Sequence, residues 1–191
     1  MTIKLSDEQL ILEYSKGHIG SFELLYERHK GALFRYCLRH FQNIASAEEC
    51  FQEVWLKIIK NRQKYRPTAL FTTYLYRIAQ NTLIDHYRKE KKRSQDREFD
   101  EQIEDEDRNQ SGSDFEINEE SKVQVRLLRK KIAELPFEQR NTLLLKLNSN
   151  LSLEEIASIL DCGKETVKSR LRYATNRLKG ILSNPHCEKF K

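Results

Sequence analysis

The sequence predicts an all-α protein: two small helical domains joined by an acidic flexible linker, with a helix-turn-helix in the C-terminal domain. Three observations carry this. Among 191 residues there are only six Gly and three Pro, and apolar residues recur at helical spacing with few alternating runs. Charge is segregated: residues 1–93 hold 17 Lys or Arg against 10 Asp or Glu, 94–121 hold 2 against 12, and 122–191 hold 15 against 7. Leu151–Lys179 reads as two helices joined by a turn too short for anything but a sharp crossing. Two basic blocks separated by an acidic strap predict nucleic-acid-facing domains on a tether, with boundaries at 1–93, 94–121 and 122–185 and a tail at 186–191.

In the first block, Ser6 and Gln9 form a capping box that opens a short helix ended by Gly17. A second run from about Ser21 turns Phe22, Leu25, Tyr26, Leu33, Cys37, Leu38 and Phe41 inward, with Gly31 as a point of bending. Ser46 and Glu49 cap a third, from about Ala47 to Asn61, which buries Cys50, Phe51, Val54, Trp55, Ile58 and Ile59. Its other face shows Glu48, Glu49, Gln52 and Glu53; alone, such a cluster at a helix start is dipole complementarity and nothing more. After Tyr65-Arg66-Pro67-Thr68, a stripe of Phe71, Leu75, Ile78, Ala79, Thr82 and Leu83 predicts a core face for a fourth helix. Tyr74, Arg77 and Asn81 share another face, continued by the basic run Arg88, Lys89, Lys91, Lys92 and Arg93. Rings that stack on bases, amides that bond their edges and cations that hold phosphates suit single-stranded DNA. Tyr76 is assigned to a core rim with its hydroxyl in water.

The segment 94–121, with Asp100, Glu101, Glu104, Asp105, Glu106, Asp107 and a Ser111-Gly112-Ser113 break, is too charged to fold alone. Val123, Leu127, Ile132 and Leu135 begin the second block, and Pro136 opens a helix to about Leu147 as a first-turn proline. In the helix-turn-helix, Ser152 and Glu155 make a capping box, Leu153, Ile156, Ala157 and Leu160 face inward, Asp161-Cys162-Gly163 break the pattern, and Val167, Leu171 and Leu178 resume it. Lys164, Lys168, Arg170, Arg172, Arg177 and Lys179 load the second helix with cations, as a DNA-reading helix requires.

Cys37, Cys50, Cys162 and Cys187 show no CxxC pairing and read as reduced thiols. Cys37 and His40, one helical turn apart, have the spacing to seed a zinc site with His29 or Cys50, but two ligands are a weak signal, and a buried Cys beside a surface His is the simpler reading. His186-Cys187 is equally uninformative. No phosphate-cradling Gly loop, nucleophile motif or paired metal-ligand helix is present, so neither catalysis nor a cofactor is expected. No stretch nears the roughly 18 apolar residues of a membrane span and no secretory signal opens the chain, which predicts a cytoplasmic protein.

FQEVWLKI, the FTTYLYRIAQNTLIDHYRK run, the acidic linker, LPFEQRNTLLLK and LSLEEIASIL followed by ETVKSRL stand in the order that resembles a bacterial sigma factor of the extracytoplasmic-function group, with regions 2 and 4 only. The resemblance covers nearly the whole chain. It implies an alternative sigma factor whose partners are core RNA polymerase (beta-prime clamp helices and beta flap), promoter DNA and an anti-sigma factor able to hold it at the inner membrane. By the same resemblance, Glu48, Glu49, Gln52 and Glu53 dock on the clamp helices, which revises their reading as dipole partners. Tyr65 to Phe71, including Arg66, match the loop that captures a flipped base of the minus-ten element, and Tyr74, Arg77, Asn81 and Arg88 match the adjoining helix that melts and reads it. Lys168, Ser169, Arg172 and Tyr173 match the positions addressing the minus-thirty-five element, with Thr166 near that helix's start, where a hydroxyl and backbone amides can hold a phosphate. The linker is expected to thread the polymerase interior toward the RNA exit path.

Five positions depart from the family pattern. Tyr74 stands where many relatives have Trp, Pro67 stiffens the capture loop, Asp161 occupies a turn position commonly held by Gly, and Arg172-Tyr173 is one of several variants at a specificity-setting pair. Two other readings stand beside this one: a two-domain helix-turn-helix regulator acting without polymerase, and a nuclease or zinc hydrolase built on the five His and scattered carboxylates.

Overall fold

A computed structural model of the chain describes the backbone of residues 5–41, 43–95, 127–148 and 151–182, with side chains up to Lys89, Leu147 and Lys179 in the last three segments. The linker from Asp96, the Val123 position, the side chains of Lys91, Lys92 and Arg93, and the 186–191 tail lie outside the described residues. All described regular structure is helical: α1 Asp7–Ser15, α2 Ile19–Leu38, α3 Ile44–Lys60, a 3-10 turn Arg62–Lys64, α4 Phe71–Gln95, α5 at 127–133, α6 Phe137–Asn148, α7 Leu153–Ile159 and α8 Lys164–Leu182.

The Ser6 box at the start of α1 makes both of its bonds, Gln9 N donating to Ser6 Oγ at 3.3 Å and Ser6 N to Gln9 Oε1 at 2.8 Å. Gly17 ends the turn after α1 with φ +107°, a conformation that glycine adopts without a steric penalty. Arg28 and His29 of α2 each hold Asp7 at 2.7 Å, tying α1 down. Burial alone would raise the Asp7 pKa, but these partners outweigh it and keep the carboxyl below its usual range. Two boundaries differ from expectation. α2 begins at Ile19 and runs unbroken through Gly31. α3 begins at Ile44, because Asn43, extended at φ −115° and ψ 152°, accepts from Ser46 N at 2.7 Å and takes the capping role assigned to Ser46 and Glu49.

α2, α3 and α4 bury Leu25, Leu33, Cys50, Val54, Ile58, Leu75, Ala79 and Leu83 completely. Trp55 is sealed by Phe22 at 5.7 Å edge-on and Tyr26 at 5.0 Å. Tyr76, read as a rim residue, is buried, its ring edge-on to Tyr36 at 5.2 Å, and burial pushes its hydroxyl up to about 12. The N-terminal amide of α4 is itself capped from afar: Phe71 N donates to Glu8 Oε1 of α1 at 2.9 Å.

In the second block the Ser152 box forms as expected, and Asp161 takes the left-handed turn with φ +49° that its side chain tolerates better than most. Ile156, Val167 and Ala174 close the core between α7 and α8. α6 begins after Pro136, whose carbonyl accepts from Gln139 N and Arg140 N, and it buries five consecutive residues, Asn141 to Leu145. A helix covered on all sides needs neighbours on all sides. α6 packs on α7 and α8 of its own block and also on α2, while α7 packs on α4, so the two blocks touch.

His40 lies at this seam, with Tyr36 at 4.8 Å and Phe137 of α6 at 6.0 Å. It is buried, not the surface residue the sequence implied, and neither ring nitrogen has a hydrogen-bond partner among the described residues. Burial first, and the Arg140 charge second, push its pKa from 6.5 down to about 3. The unfolded chain takes up this proton below about 6.5 and the packed chain does not until about 3, so the stability His40 confers is complete above that range and is lost as pH falls through it. Urea unfolding from pH 7.5 to 4.5 is expected to show up to about 1.4 kcal/mol of loss per pH unit beyond that of a His40→Leu variant; parallel profiles would rule this out.

Candidate nucleic-acid and polymerase interface

α4 carries the residues singled out for single-stranded DNA. Arg77, Asn81 and Arg88 are exposed along it. Tyr74 is half-buried, its ring 5.1 Å from Tyr65 and 6.3 Å from Phe71, and burial raises its hydroxyl pKa. Tyr65 and Phe71 are themselves buried, at 4% and 0% exposure, so they frame the 65–71 loop and offer no open ring to a base. Tyr65 Oη donates to Ala69 O at 3.3 Å across that loop, and burial lifts its pKa to about 12. Arg66 is exposed but turned onto its own loop, Nη1 donating to Gln63 O at 3.1 Å and Tyr65 O at 3.0 Å.

On α3, Glu48, Glu49 and Gln52 are exposed. Glu53 is not in the same state: it accepts from Lys57 at 2.8 Å and pairs with His86 of α4 at 3.0 Å, a tie between two helices. Burial would raise its pKa, but hydrogen bonds from Lys57 and His86 prevail and hold it below the usual carboxylate range. One turn beyond Gln52 stands Leu56, 63% exposed, which the sequence reading passed over. An apolar side chain on an acidic, exposed helix face is the pattern of a docking surface, and the gap it leaves in the core stripe of α3 was the available signal.

On α8, Thr166, Lys168, Arg172 and Tyr173 are exposed and Ser169 is half-buried. Lys168 Nζ pairs with Glu165 at 2.7 Å, an exposed contact that a phosphate readily displaces, and Arg172 lies 5.3 Å from the Tyr173 ring centroid. Arg170, one of the cations the sequence places on this helix, bonds Glu138 of α6 at 3.0 Å and anchors the helix instead. Three helices thus present three chemically distinct surfaces: acidic with an apolar centre on α3, aromatic and cationic on α4, cationic on α8.

Cys37 and Cys50 are buried with their sulfurs 4.0 Å apart, and His40 makes no hydrogen bond to either; burial and the mutual contact push the Cys37 thiol up. Among the described residues no group of three or more His, Cys, Asp or Glu side chains is gathered as a metal ion would require. No described helix is long and apolar enough to cross a membrane.

Comparison with known proteins joins these surfaces. Sigma-70 region 2 matches residues 25–93, and Sigma-70 region 4 matches residues 125–178. The chain is 30% identical over 176 residues to the ECF RNA polymerase sigma factor SigW of Bacillus subtilis, covering 88% of this chain and 92% of that one. The chain belongs to the ECF sigma factors of the sigma-70 family. It is 28% identical over 176 residues to the ECF RNA polymerase sigma-E factor of Escherichia coli, covering 90% and 91% of the two chains. Among solved structures, CnrH in complex with the cytosolic domain of CnrY has the same fold, with a TM-score of 0.70 at 17% identity over 94% of this chain and 99% of that one. So does the sigma factor RpoE of Bartonella quintana in complex with the anti-sigma factor NepR, with a TM-score of 0.70 at 22% identity over 86% and 98%. As an ECF RNA polymerase sigma factor, the chain directs transcription initiation and is not an enzyme. The readings as a polymerase-independent regulator and as a hydrolase therefore fall away.

Proposed function

We propose that this sigma factor reads its promoter with two separate helices, α8 addressing the minus-thirty-five duplex and α4 with the 65–71 loop opening and holding the minus-ten strand. The observation that carries the division is chemical. The exposed residues of α8 are mainly cations, with Tyr173 beside Arg172, as groove reading requires, whereas α4 carries exposed Arg77, Asn81 and Arg88 along the same helix that holds Tyr74, itself packed on Tyr65 and Phe71, as strand capture requires. Because Tyr65 and Phe71 are buried, Tyr74 is the ring proposed to meet a base, the other two holding it in position.

Glu48, Glu49 and Gln52 are proposed to meet the beta-prime clamp helices around Leu56, with Glu53 fixing α3 on α4, and region 4 to meet the beta flap. The acidic segment after α4, up to residue 121, is proposed to run through the polymerase toward the RNA exit path. CnrH was solved in complex with the cytosolic domain of CnrY and RpoE with the anti-sigma factor NepR, and an anti-sigma factor holding this chain in the cytoplasm, at the inner membrane, completes the proposal.

Mapping the transcripts that core polymerase starts on genomic DNA with this chain added defines the promoter. On it, Asn81→Ala is expected to reduce strand opening, read by permanganate footprinting, about tenfold or more, while binding of the minus-thirty-five duplex stays within about twofold, since one polar base contact is worth roughly 1–3 kcal/mol. Equal loss of both would reject the division of labour.

A further inference from the structure

One side chain on the exposed stripe of α8 has the wrong sign for a phosphate contact. Glu165, Lys168, Ser169 and Arg172 stand at spacings of three and four, so they share one face of the helix, opposite the buried Val167 and Ala174 that seat it. Three of them are cationic or hydroxylic, as duplex reading requires. Glu165 leads the stripe from the first turn, its side chain 82% exposed, and its Oε1 accepts from Lys168 Nζ at 2.7 Å. That hydrogen bond holds its pKa below the usual carboxylate range, so it is an acceptor with no proton to give.

A carboxylate near a helix start complements the dipole, and an exposed ion pair with Lys168 adds little. The dipole favours negative charge anywhere in the first turn, however, and does not ask that it stand in line with Lys168 and Arg172. In that line it faces DNA, where phosphates repel it and it occupies one of the Lys168 donors. Such a group weakens binding unless the duplex offers it a hydrogen-bond donor.

The major groove offers two: the N4 amino group of cytosine and the N6 amino group of adenine. Carboxylates pair with the first, whereas adenine, with N7 accepting beside N6–H, matches a side-chain amide that donates as well as accepts. Against guanine N7 and O6 or thymine O4, acceptor would face acceptor. A G·C pair sets the guanine O6 acceptor beside the cytosine N4 donor, and Lys168 with Glu165 presents the complement, a donor and an acceptor 2.7 Å apart. Lys168 carries three N–H donors, so it can hold Glu165 and meet guanine together. From Glu165 to Arg172 the helix advances about 10 Å at 1.5 Å per residue, about three base-pair steps, and the leading residues of a recognition helix are those that reach base edges. Glu165 therefore addresses one end of the contacted bases and Arg172 the other.

Resting on the reading of α8 as the minus-thirty-five helix, we propose that Glu165 is a specificity-determining residue: it accepts from the N4 amino group of a cytosine at one position of that element, with Lys168 on the guanine paired to it, and rejects the other three bases there.

The test uses the full chain in complex with core polymerase. Open complexes are formed on the mapped promoter randomised through its minus-thirty-five element, and their templates are recovered and sequenced for the unaltered chain, Glu165→Gln and Glu165→Ala. The unaltered chain is expected to favour cytosine at one position by about tenfold or more, the size of one good base contact. Glu165→Gln sets a donor beside the acceptor and is expected to move the preference at that position to adenine, leaving the others within about twofold. Glu165→Ala is expected to flatten that position alone. A residue serving only the helix dipole would leave every base preference where it was, and one serving only to repel phosphate would, when replaced, raise binding of all sequences alike; either result overturns the proposal. Replacing Lys168 and Arg172 by Ala on the same library separates the two failures: preferences that survive it remove α8 as the reader, whereas preferences that it abolishes and Glu165→Gln leaves unchanged overturn the role of Glu165 alone.

Discussion

Phe71→Ala is expected to lower the unfolding free energy by about 3–5 kcal/mol, the usual cost of emptying a well-packed aromatic site. Against a total of roughly 5–15 kcal/mol for a domain, that puts region 2 near its limit at growth temperature. The ring is fully buried, with His29 at 5.4 Å and Tyr65 and Tyr74 each at 6.3 Å, so it joins α2, the capture loop and α4 at one point. The Glu8 contact to the Phe71 amide survives the substitution, because the acceptor sees backbone, and helix initiation is therefore kept while the packing is lost. Chemical unfolding measures the first effect. At a temperature where the variant remains folded, strand opening should fall while binding of the upstream duplex is retained; a loss below about 1 kcal/mol would mean that the site collapses to fill the hole.

Replacing Lys168 and Arg172 together by Ala is expected to remove promoter choice. Each contact of this kind contributes roughly 1–3 kcal/mol, so the pair together lowers affinity for the cognate duplex by about a hundredfold or more. Little stability goes with them: Lys168 loses only an exposed pair with Glu165, and Arg172 an exposed contact with Tyr173. Binding measured against salt separates the roles, since removing a phosphate contact flattens the salt dependence by about one unit of slope whereas removing a base contact relaxes sequence preference. Transcription from the cognate promoter that is indifferent to the double variant would exclude α8 as the reader.

Periodicity made the helices legible, and capping chemistry made several ends legible: the Ser6 and Ser152 boxes and the Asp161 turn appear as the residues dictate. The start of α3 was misread because two polar residues three apart offered a box, while Asn43, better placed at the point where the chain is extended, took the bond. Among site residues, sequence spacing assigns faces but not depth. Spacing put Phe71 on the core stripe, where it lies, but left Tyr65 and Tyr74 alike as aromatic residues near a basic run, and only packing decides that Tyr65 is buried and Tyr74 half-exposed. The contact between blocks had one signal, the uninterrupted Asn141-Thr142-Leu143-Leu144-Leu145, which leaves α6 no solvent face at that level.

α8, at 19 residues, is about 28 Å long at 1.5 Å per residue, against a major groove about 12 Å wide. On the proposed reading, roughly its leading half would enter DNA, which is where Thr166, Lys168, Ser169 and Arg172 fall. If α8 reads DNA as proposed, the trailing half, seated through buried Ala174 and partly buried Leu178, acts as a lever arm, and repacking beneath Ala174 is expected to change which bases are met without altering any side chain proposed to meet them.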